Sequence, residues 1–397
     1  NGFPHKKILD ELFPDNPVVL NSHDEHMLWV NSQTLKQTGI LVPAKLGGAY
    51  FGTDPDGSLN GVIGENAIPL IRNHIPKPDF EQRRHLLLQV QKKLHRLGVV
   101  GLHSMDANAA FGDLQQLNRK NELRLRVFHS IPIRQLEEAV RIGLRTGLGD
   151  SFFRFGLVKI FSDGTLGSRT ASMLEPYNEA GGTGIETIAE PDLVEKMRLA
   201  LQNGIAVAVH AIGDKANRSV LNAFEQNQPW LGVPGAASRV EHAQLLHPHD
   251  VARFGKLGIF ASMQPIHAIS DQPLAAKFWG ERARYSYAWR SLLESQATLL
   301  FGSDAPVEDP DPLLGLAAAI ERSGWEDKRQ TISASEAIAA YTRQPAAAEG
   351  QANERGSIEA GKLADLAILS EDPANTATSN IRVVATIVDG EFVYRDF

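Results

Sequence analysis

From residue 97 onwards the sequence alternates between short apolar runs and longer amphipathic stretches, and this alternation constrains the fold most strongly. Repeated strand–helix units of this kind form a parallel β-sheet with helices packed outside it. Helical periodicity occupies residues 109–120, 190–202 and 249–256. The runs that predict strands are residues 98–103, 125–130, 155–161, 205–210, 239–242, 258–264 and 298–304.

The predicted fold class is α/β, a (β/α)₈ barrel of the TIM type that lacks its first strand. A closed barrel of this type has eight strands, and the sequence supplies seven candidates. We expect residues 1–96 to be an insertion between barrel strands one and two, and strand one itself to precede residue 1. Within that insertion lie a short apolar run, a helix-like stretch, a turn-rich region and a long amphipathic helix, at residues 16–20, 32–38, 52–64 and 78–97.

The end of the chain has a different character. After residue 340, Gly-marked turns separate alternating apolar and polar residues, and Asp389-Gly390 is typical of a hairpin turn. We therefore predict a barrel over residues 97–350, followed by a small all-β sandwich segment over residues 351–397.

Composition removes several classes of function. The chain has no Cys, which excludes disulfides, thiol catalysis and Cys–metal sites. A net charge of −7 argues against nucleic acid as a partner, and no apolar run approaches the ~18 residues of a membrane span. The first residues resemble no signal peptide, so we expect a cytoplasmic protein. The expected partner is a small-molecule substrate, with self-association left open.

Polar residues stand at or just after the carboxyl ends of most predicted strands. In a barrel, this rim is where catalytic residues from different strands meet. Any one of them could be polar only because a strand is meeting solvent there, but the repeated pattern favours a site. The residues are His103, Lys159, Asp163, His210, His242, Gln264 and Asp304.

Lys159 is unusual because it lies inside an apolar run, where a free ammonium group is costly to bury. It could extend to the rim, act as a base of lowered pKa, or become a carboxylate-like metal ligand. His210 and His242 follow successive strands and could bind zinc, or fill the core as hydrogen-bonded side chains. Asp304 could bind a metal and accept a proton from water.

Three other patterns are weaker candidates. The His-x-His at residues 247–249 spans Pro248 and is typical of the start of a helix. Residues 23–26 contain two His, of which we keep His26 as a pocket candidate. Residues 164–168 lack the ending of a phosphate-binding loop.

Several motifs together resemble the YtcJ-like, N-substituted formamide deformylase branch of the amidohydrolase superfamily (amidohydrolase 3 family). The resemblance runs nearly from end to end of the chain. The motifs are VKIFSDGTLGSRTA at 158–171, VHAIGD at 209–214, VEHAQ at 240–244, QPIH at 264–267, FGSDAP at 301–306 and GSIEAGKLAD at 356–365.

The resemblance implies a metal-dependent hydrolase that cleaves a C–N bond of an amide, an N-substituted formamide or a related compound. It implies one or two divalent ions, zinc first among them, bound by a carbamylated Lys159, His210, His242 and Asp304. A metal-activated hydroxide attacks the carbonyl, and Asp304 carries the proton to the leaving amine. Substrate-binding positions implied in the same way are His26, Glu65, His103, Asp163, Arg169, Gln264 and His267.

Two alternatives remain open at this point. One is an enzyme in which only the His210 and His242 position holds a metal, because the His-x-His expected on strand one is missing. The other is an incomplete or degenerate barrel that binds a small molecule without turnover. Specificity is expected to reside in the segment before residue 97 and in a loop over residues 267–287.

Overall fold

The computed structural model describes residues 4–106, 108–179 and 181–397, and its first part is an antiparallel sheet with short helices beside it. The elements are α1 (Lys6–Leu12), β1 (Val19–Asn21), β2 (Met27–Val30), α2 (Ser32–Thr38), β3 (Ala49–Thr53), β4 (Leu59–Glu65) and α3 (Ile68–Arg72). The strands run in the order β1-β2-β4-β3. Their buried apolar side chains form a core separate from that of the rest of the chain.

The turn-rich region predicted at residues 52–64 is wrong, because most of it belongs to the β3–β4 hairpin. Glycines that suggested turns are needed here for close packing between strands. Gly61 has φ +97°, and a Cβ there would lie 2.4 Å from the carbonyl oxygen of Val30. The apolar run at 16–20 overlaps β1, which pairs antiparallel with β2 and so is no strand of a parallel barrel.

A curled, seven-stranded parallel sheet forms the centre of the molecule. It follows α4 (Phe80–Arg96), and its strands lie side by side in chain order. Within the described residues nothing pairs with the outer sides of the two edge strands, so the seven predicted strands are confirmed and the sheet stays open. The strands are β5 (Gly101–Ser104), β6 (Arg126–Pro132), β7 (Phe153–Phe161), β8 (Ala206–Ala211), β9 (Arg239–His242), β10 (Phe260–Met263) and β11 (Thr298–Phe301).

Helices cover the parallel sheet, and the main apolar core lies between the two. They are α5 (Asn108–Arg119), α6 (Leu136–Arg141), α7 (Glu190–Gln202), α8 (Asp214–Gln226), α9 (Pro248–Leu257), α10 (His267–Trp279), α11 (Trp289–Glu294), α12 (Pro312–Glu321), α13 (Ala334–Tyr341) and α14 (Arg343–Ala348).

Two sequence interpretations are settled by these helices. The His247–His249 pair does mark a helix start, because α9 begins at Pro248 and the His247 ring accepts a hydrogen bond from the His249 amide. The loop predicted over residues 267–287 is wrong, because α10 and a 3₁₀ helix (Gly280–Tyr285) occupy most of it. Pro273 inside α10 obscured the helical pattern.

The chain ends in a second antiparallel sheet, as predicted. Its strands, β12 (Leu366–Leu369), β13 (Val383–Val388) and β14 (Glu391–Arg395), lie in that order, with the hairpin at Asp389-Gly390. The buried Arg126 of β6 donates hydrogen bonds to Asp365 and Asp389, at 2.8 and 3.3 Å, which joins this sheet to the parallel one. The predicted boundaries at residues 96 and 350 stay predictions. No described helix is both long and apolar enough to cross a membrane.

Candidate active site

The strand-end residues of the parallel sheet converge because neighbouring strands are staggered. Phe161 of β7 pairs with His210 of β8, and Ala211, one residue further along, pairs with His242 of β9. The two histidine rings therefore lie beside each other, with centroids 4.6 Å apart. Parallel pairing thus places two candidate ligands from separate motifs at one point.

Both histidines are held in the neutral form. Burial lowers the pKa of His210 and of His242 well below the usual range, and the positive charge of Lys159 adds to this. The His210 Nε2 lies 3.0 Å from the carbonyl oxygen of Gly164. Neutral imidazole is the form that binds metals.

Lys159 lies on β7 beneath this pair and is 8% exposed. Burial lowers the pKa of Lys159, while the carboxylates of Glu241 and Asp304 act in the opposite direction without cancelling it. Its Nζ lies 4.9 Å from the centre of the Phe161 ring. The amine is therefore easier to deprotonate than an ordinary lysine, which suits chemical modification.

Asp304 follows β11 in a left-handed backbone conformation, with φ +59°. Its Oδ2 lies 3.8 Å from the His267 Nε2 at the start of α10. That nitrogen is buried and has no hydrogen-bond partner among the described residues. Enclosure raises the pKa of Asp304, and His267 and Lys159 only partly offset this. A carboxylate with a raised pKa is better matched to proton transfer near neutral pH.

His210, His242, His267 and Asp304 face one cavity of ≈ 490 Å³. Residues 20–29 and Val62 of the first sheet lie on one side of it, and α10 and the segment after Asp304 lie on the other. The two regions that were expected to confer specificity therefore both line the cavity, although the second of them is helical.

His26 lines the same cavity and is tied to the first sheet. Its Nδ1 lies 3.0 Å from Glu65 Oε2, and Glu65 Oε1 accepts a hydrogen bond of 2.6 Å from Thr170. Burial opposes a charge on His26, but the hydrogen bond and the charge of Glu65 outweigh burial and raise the pKa of His26. Glu65 thus acts on the cavity through His26.

Asp163 is fully buried beside the site, and its carboxylate binds the backbone of neighbouring segments. It accepts hydrogen bonds from the backbone amides of Ser172, Ile212 and Gly213 at 2.8–3.1 Å, and burial raises the pKa of Asp163 to about 7. These bonds fix the segment that follows His210. Gln264 is also buried, and its side-chain nitrogen donates a 3.4 Å hydrogen bond to the carbonyl oxygen of Ser262.

Two predicted substrate-binding residues lie elsewhere. His103 is inside the sheet, where its Nδ1 accepts a 2.5 Å hydrogen bond from Arg239 and its Nε2 lies 3.8 Å from Glu349. Arg169 lies against Phe278, with 5.8 Å between its guanidinium carbon and the ring centre. Neither is among the residues that line the cavity.

Several cavity residues were missed by the sequence analysis. Asp271 follows His267 by four positions, so a helical interpretation of residues 267–279 would have placed both on one face. In the segment around Asp24 and Trp29 the sequence singled out only His26, because the position of the other side chains depends on the packing of the first sheet. The missed lining residues with polar or aromatic groups include His23, Asp24, Trp29, Gln244, Asp271 and Glu308.

The imidazole and carboxylate groups of the site are of the kind that binds divalent metals, although the described side chains do not form a preorganised ligand cluster. No three His, Asp or Glu of the described residues form a cluster that could hold a metal ion. Yet His210 and His242 are neutral, adjacent imidazoles. The buried Nε2 of His267 beside Asp304 has no hydrogen-bond partner in the described part of the chain. Imidazole with carboxylate suits zinc and several other divalent ions.

A half-barrel whose strand ends carry histidines, a lysine and an aspartate defines the class of TIM-type metallohydrolases. The amidohydrolase family model matches residues 1–394, and the chain belongs to that family. It is 32% identical to the putative amidohydrolase YtcJ of Bacillus subtilis, over 98% of this chain and 76% of the other.

Two further relatives agree with this assignment. The N-substituted formamide deformylase of Arthrobacter pascens is 26% identical, over 98% of this chain and 76% of its own length. A crystal structure of an uncharacterized metal-dependent hydrolase from Pyrococcus horikoshii superposes with a TM-score of 0.77 and 28% identity. It covers 95% of this chain and 76% of the other.

Proposed function

We propose that this protein is a metal-dependent hydrolase that cleaves a C–N bond of an amide, an N-substituted formamide or a related compound. One observation carries the proposal: His210, His242 and Asp304, from three separate motifs, face a single cavity. Family membership supports hydrolysis, and the relative that acts on N-substituted formamides supports the choice of bond.

His210, His242 and Asp304 would hold the divalent ion, which we propose to be zinc. Lys159 would join them as a carbamate, formed when its deprotonated amine adds CO₂ and releases a proton. An ammonium group has no lone pair for a metal, so Lys159 must first lose its proton, which its burial favours. A bound divalent ion polarises the carbonyl and lowers the pKa of water.

The protein's own groups carry the proton and orient the substrate. Asp304 accepts a proton from the attacking water, whose oxygen bonds to the carbonyl carbon. The C–N bond then breaks, and Asp304 returns the proton to the nitrogen of the leaving amine, so the products are an acid and an amine. The His267 Nε2 lies 3.8 Å from this carboxylate, which is close enough for an electrostatic interaction but beyond hydrogen-bonding distance.

The test is amine release from N-benzylformamide by protein reconstituted with zinc and bicarbonate. Asp304→Asn should lower kcat/KM by about 10³-fold, in the range for loss of a general acid–base group. Asp309→Asn, a nearby aspartate outside the cavity lining, is the matched control. The alternative, a barrel that binds small molecules without turnover, would be supported if the amide bound with no amine released.

A further inference from the structure

One face of α10 forms a wall of the cavity. His267, Ser270, Asp271 and Leu274 all line it, at the i, i+3, i+4 and i+7 spacing that places side chains on a single helical face. His267 lies beside Asp304, and the other three extend along the same wall. This face of the helix therefore extends from His267, at the proposed reaction centre, to Ser270, which donates a hydrogen bond to Glu308.

The charged residues that line the cavity are acidic. Asp24, Asp271 and Glu308 line the cavity in addition to Asp304, and among the described lining residues there is no Lys or Arg. A group of the substrate that extends beyond the reacting carbonyl therefore meets carboxylates and no Lys or Arg side chain. His26, whose pKa is raised, also lines the cavity, but it is hydrogen-bonded to Glu65. A negatively charged group there would be repelled, whereas a positively charged one would be attracted.

Asp24, Asp271 and Glu308 differ in the number of hydrogen bonds that their carboxylate oxygens already accept. Asp24 accepts hydrogen bonds from the hydroxyls of Ser22, Thr165 and Ser168. Asp271 accepts 2.6 and 2.5 Å bonds from Gln244 and Tyr287, and burial raises its pKa, which favours the neutral acid.

Glu308 retains the most capacity to bind a cation. Its Oε1 accepts a 2.6 Å hydrogen bond from Ser270 and lies 3.6 Å from the Nε2 of His23, whose side chain is 74% exposed. No other hydrogen bond or ion pair to its carboxylate is found among the described residues. A solvated histidine at that distance is a weak competitor for an incoming ammonium group.

Apolar side chains form another part of the cavity lining. Leu20, Trp29, Leu274 and Val307 line the cavity, and the buried Trp29 Nε1 has no hydrogen-bond partner among the described residues. Such a wall suits an aromatic or aliphatic spacer.

On the basis of the proposed function, we propose that the substrate is an amide whose amine portion carries a protonated amino group at the end of an apolar spacer. Glu308 is the specificity-determining counter-charge for that group. Amides with a carboxylate at the same position are poor substrates. Because the charge lies away from the hydrolysed bond, this selectivity is separable from the chemistry.

The experiment uses three N-benzylformamides that differ at the ring position opposite the amide: aminomethyl, methyl or carboxylate. We expect kcat/KM to fall in that order, by about tenfold at each step, the size of one charge-assisted contact. Glu308→Gln should bring the aminomethyl-to-methyl ratio close to one. Glu371→Gln, an exposed glutamate of the C-terminal segment, is the control and should leave the ratio unchanged.

A binding measurement separates this inference from the proposed reaction. The three methanesulfonamide analogues, which the protein cannot hydrolyse, are titrated calorimetrically into wild-type and Glu308→Gln protein. Suppose that no formamide is cleaved, but that the affinity of the analogues falls from aminomethyl to methyl to carboxylate in wild type and not in Glu308→Gln. The proposed reaction is then wrong, and the charge selection by Glu308 stands. If formamides are cleaved with equal or reversed preference, or Glu308→Gln keeps the wild-type ratio, the charge selection is wrong and the reaction stands.

Discussion

Two kinds of buried histidine occur on the parallel sheet. His210 and His242 face the cavity, beside each other and near Lys159. His129 of β6 is 1% exposed and packs against the rings of Phe111 and Phe153, which also contact each other. Neither of its ring nitrogens has a hydrogen-bond partner among the described residues.

All three have a lowered pKa for the same first reason, which is burial. A lowered pKa therefore does not by itself mark a functional histidine. The neighbours make the distinction, because a metal-binding histidine needs further donor groups and a cavity, whereas His129 lies in a cluster with two aromatic rings. Substitutions at the two kinds of position should consequently have different effects.

The largest expected effect is at the cavity. If His242 is a metal ligand as proposed, His242→Asn should lower kcat/KM for amide hydrolysis by about 10³-fold or more, since loss of a ligand removes several kcal/mol of stabilisation from the transition state. Steady-state kinetics of the zinc-reconstituted protein measure this. The kcat/KM of His129→Leu should stay within about threefold of the wild-type value. An equal loss of kcat/KM in both variants would contradict the distinction between the two kinds of histidine.

A smaller effect is expected at His103, which the sequence analysis assigned to substrate binding. His103→Ala removes a hydrogen-bond acceptor from the buried guanidinium of Arg239, and should lower the free energy of unfolding by about 2 kcal/mol. Urea denaturation measures the loss. The KM for amides should change little, because His103 does not line the cavity; a large rise in KM with unchanged stability would restore the original assignment.

The smallest effect is the pH dependence that His129 contributes. Burial lowers the pKa of His129 to about 4 from the ordinary 6.5, so the unfolded chain binds this proton more tightly than the folded protein. Stability should therefore fall as the pH drops below 6.5, by about 2 kcal/mol at pH 5, and level off near pH 4.

Thermal unfolding from pH 7 to pH 4 tests this contribution. The loss should be smaller in His129→Leu than in wild type. His85→Gln, at an exposed histidine of α4, should follow the wild-type curve. Identical curves for wild type and His129→Leu would mean that His129 takes up no proton on unfolding.

The sequence was most informative where the structure is periodic. The strands of the parallel sheet, and helices such as α7 (Glu190–Gln202), were predictable because each buries a continuous apolar run or stripe. That pattern also placed Lys159, His210, His242 and Asp304 at the strand ends.

The remaining features depend on packing that no local pattern records. The β3–β4 hairpin was missed because Gly61 is required by the closeness of Val30, which is a tertiary contact. Asp271 was not predicted because Pro273 obscures the helical pattern of α10. Glu308 was not predicted because it lies in the irregular segment between β11 and α12. His103 ends its strand like the others, and its position could not show that it meets Arg239 and Glu349 inside the sheet.

The most direct measurement is a calorimetric titration of zinc into the purified protein in bicarbonate buffer. Wild type and His129→Leu should each bind about one zinc ion or more per chain with micromolar affinity or better, whereas a His210→Asn/His242→Asn double variant should bind none at that affinity. Stoichiometric zinc in the double variant, or no binding of any divalent ion by wild type, would contradict the assignment of these histidines to a metal centre.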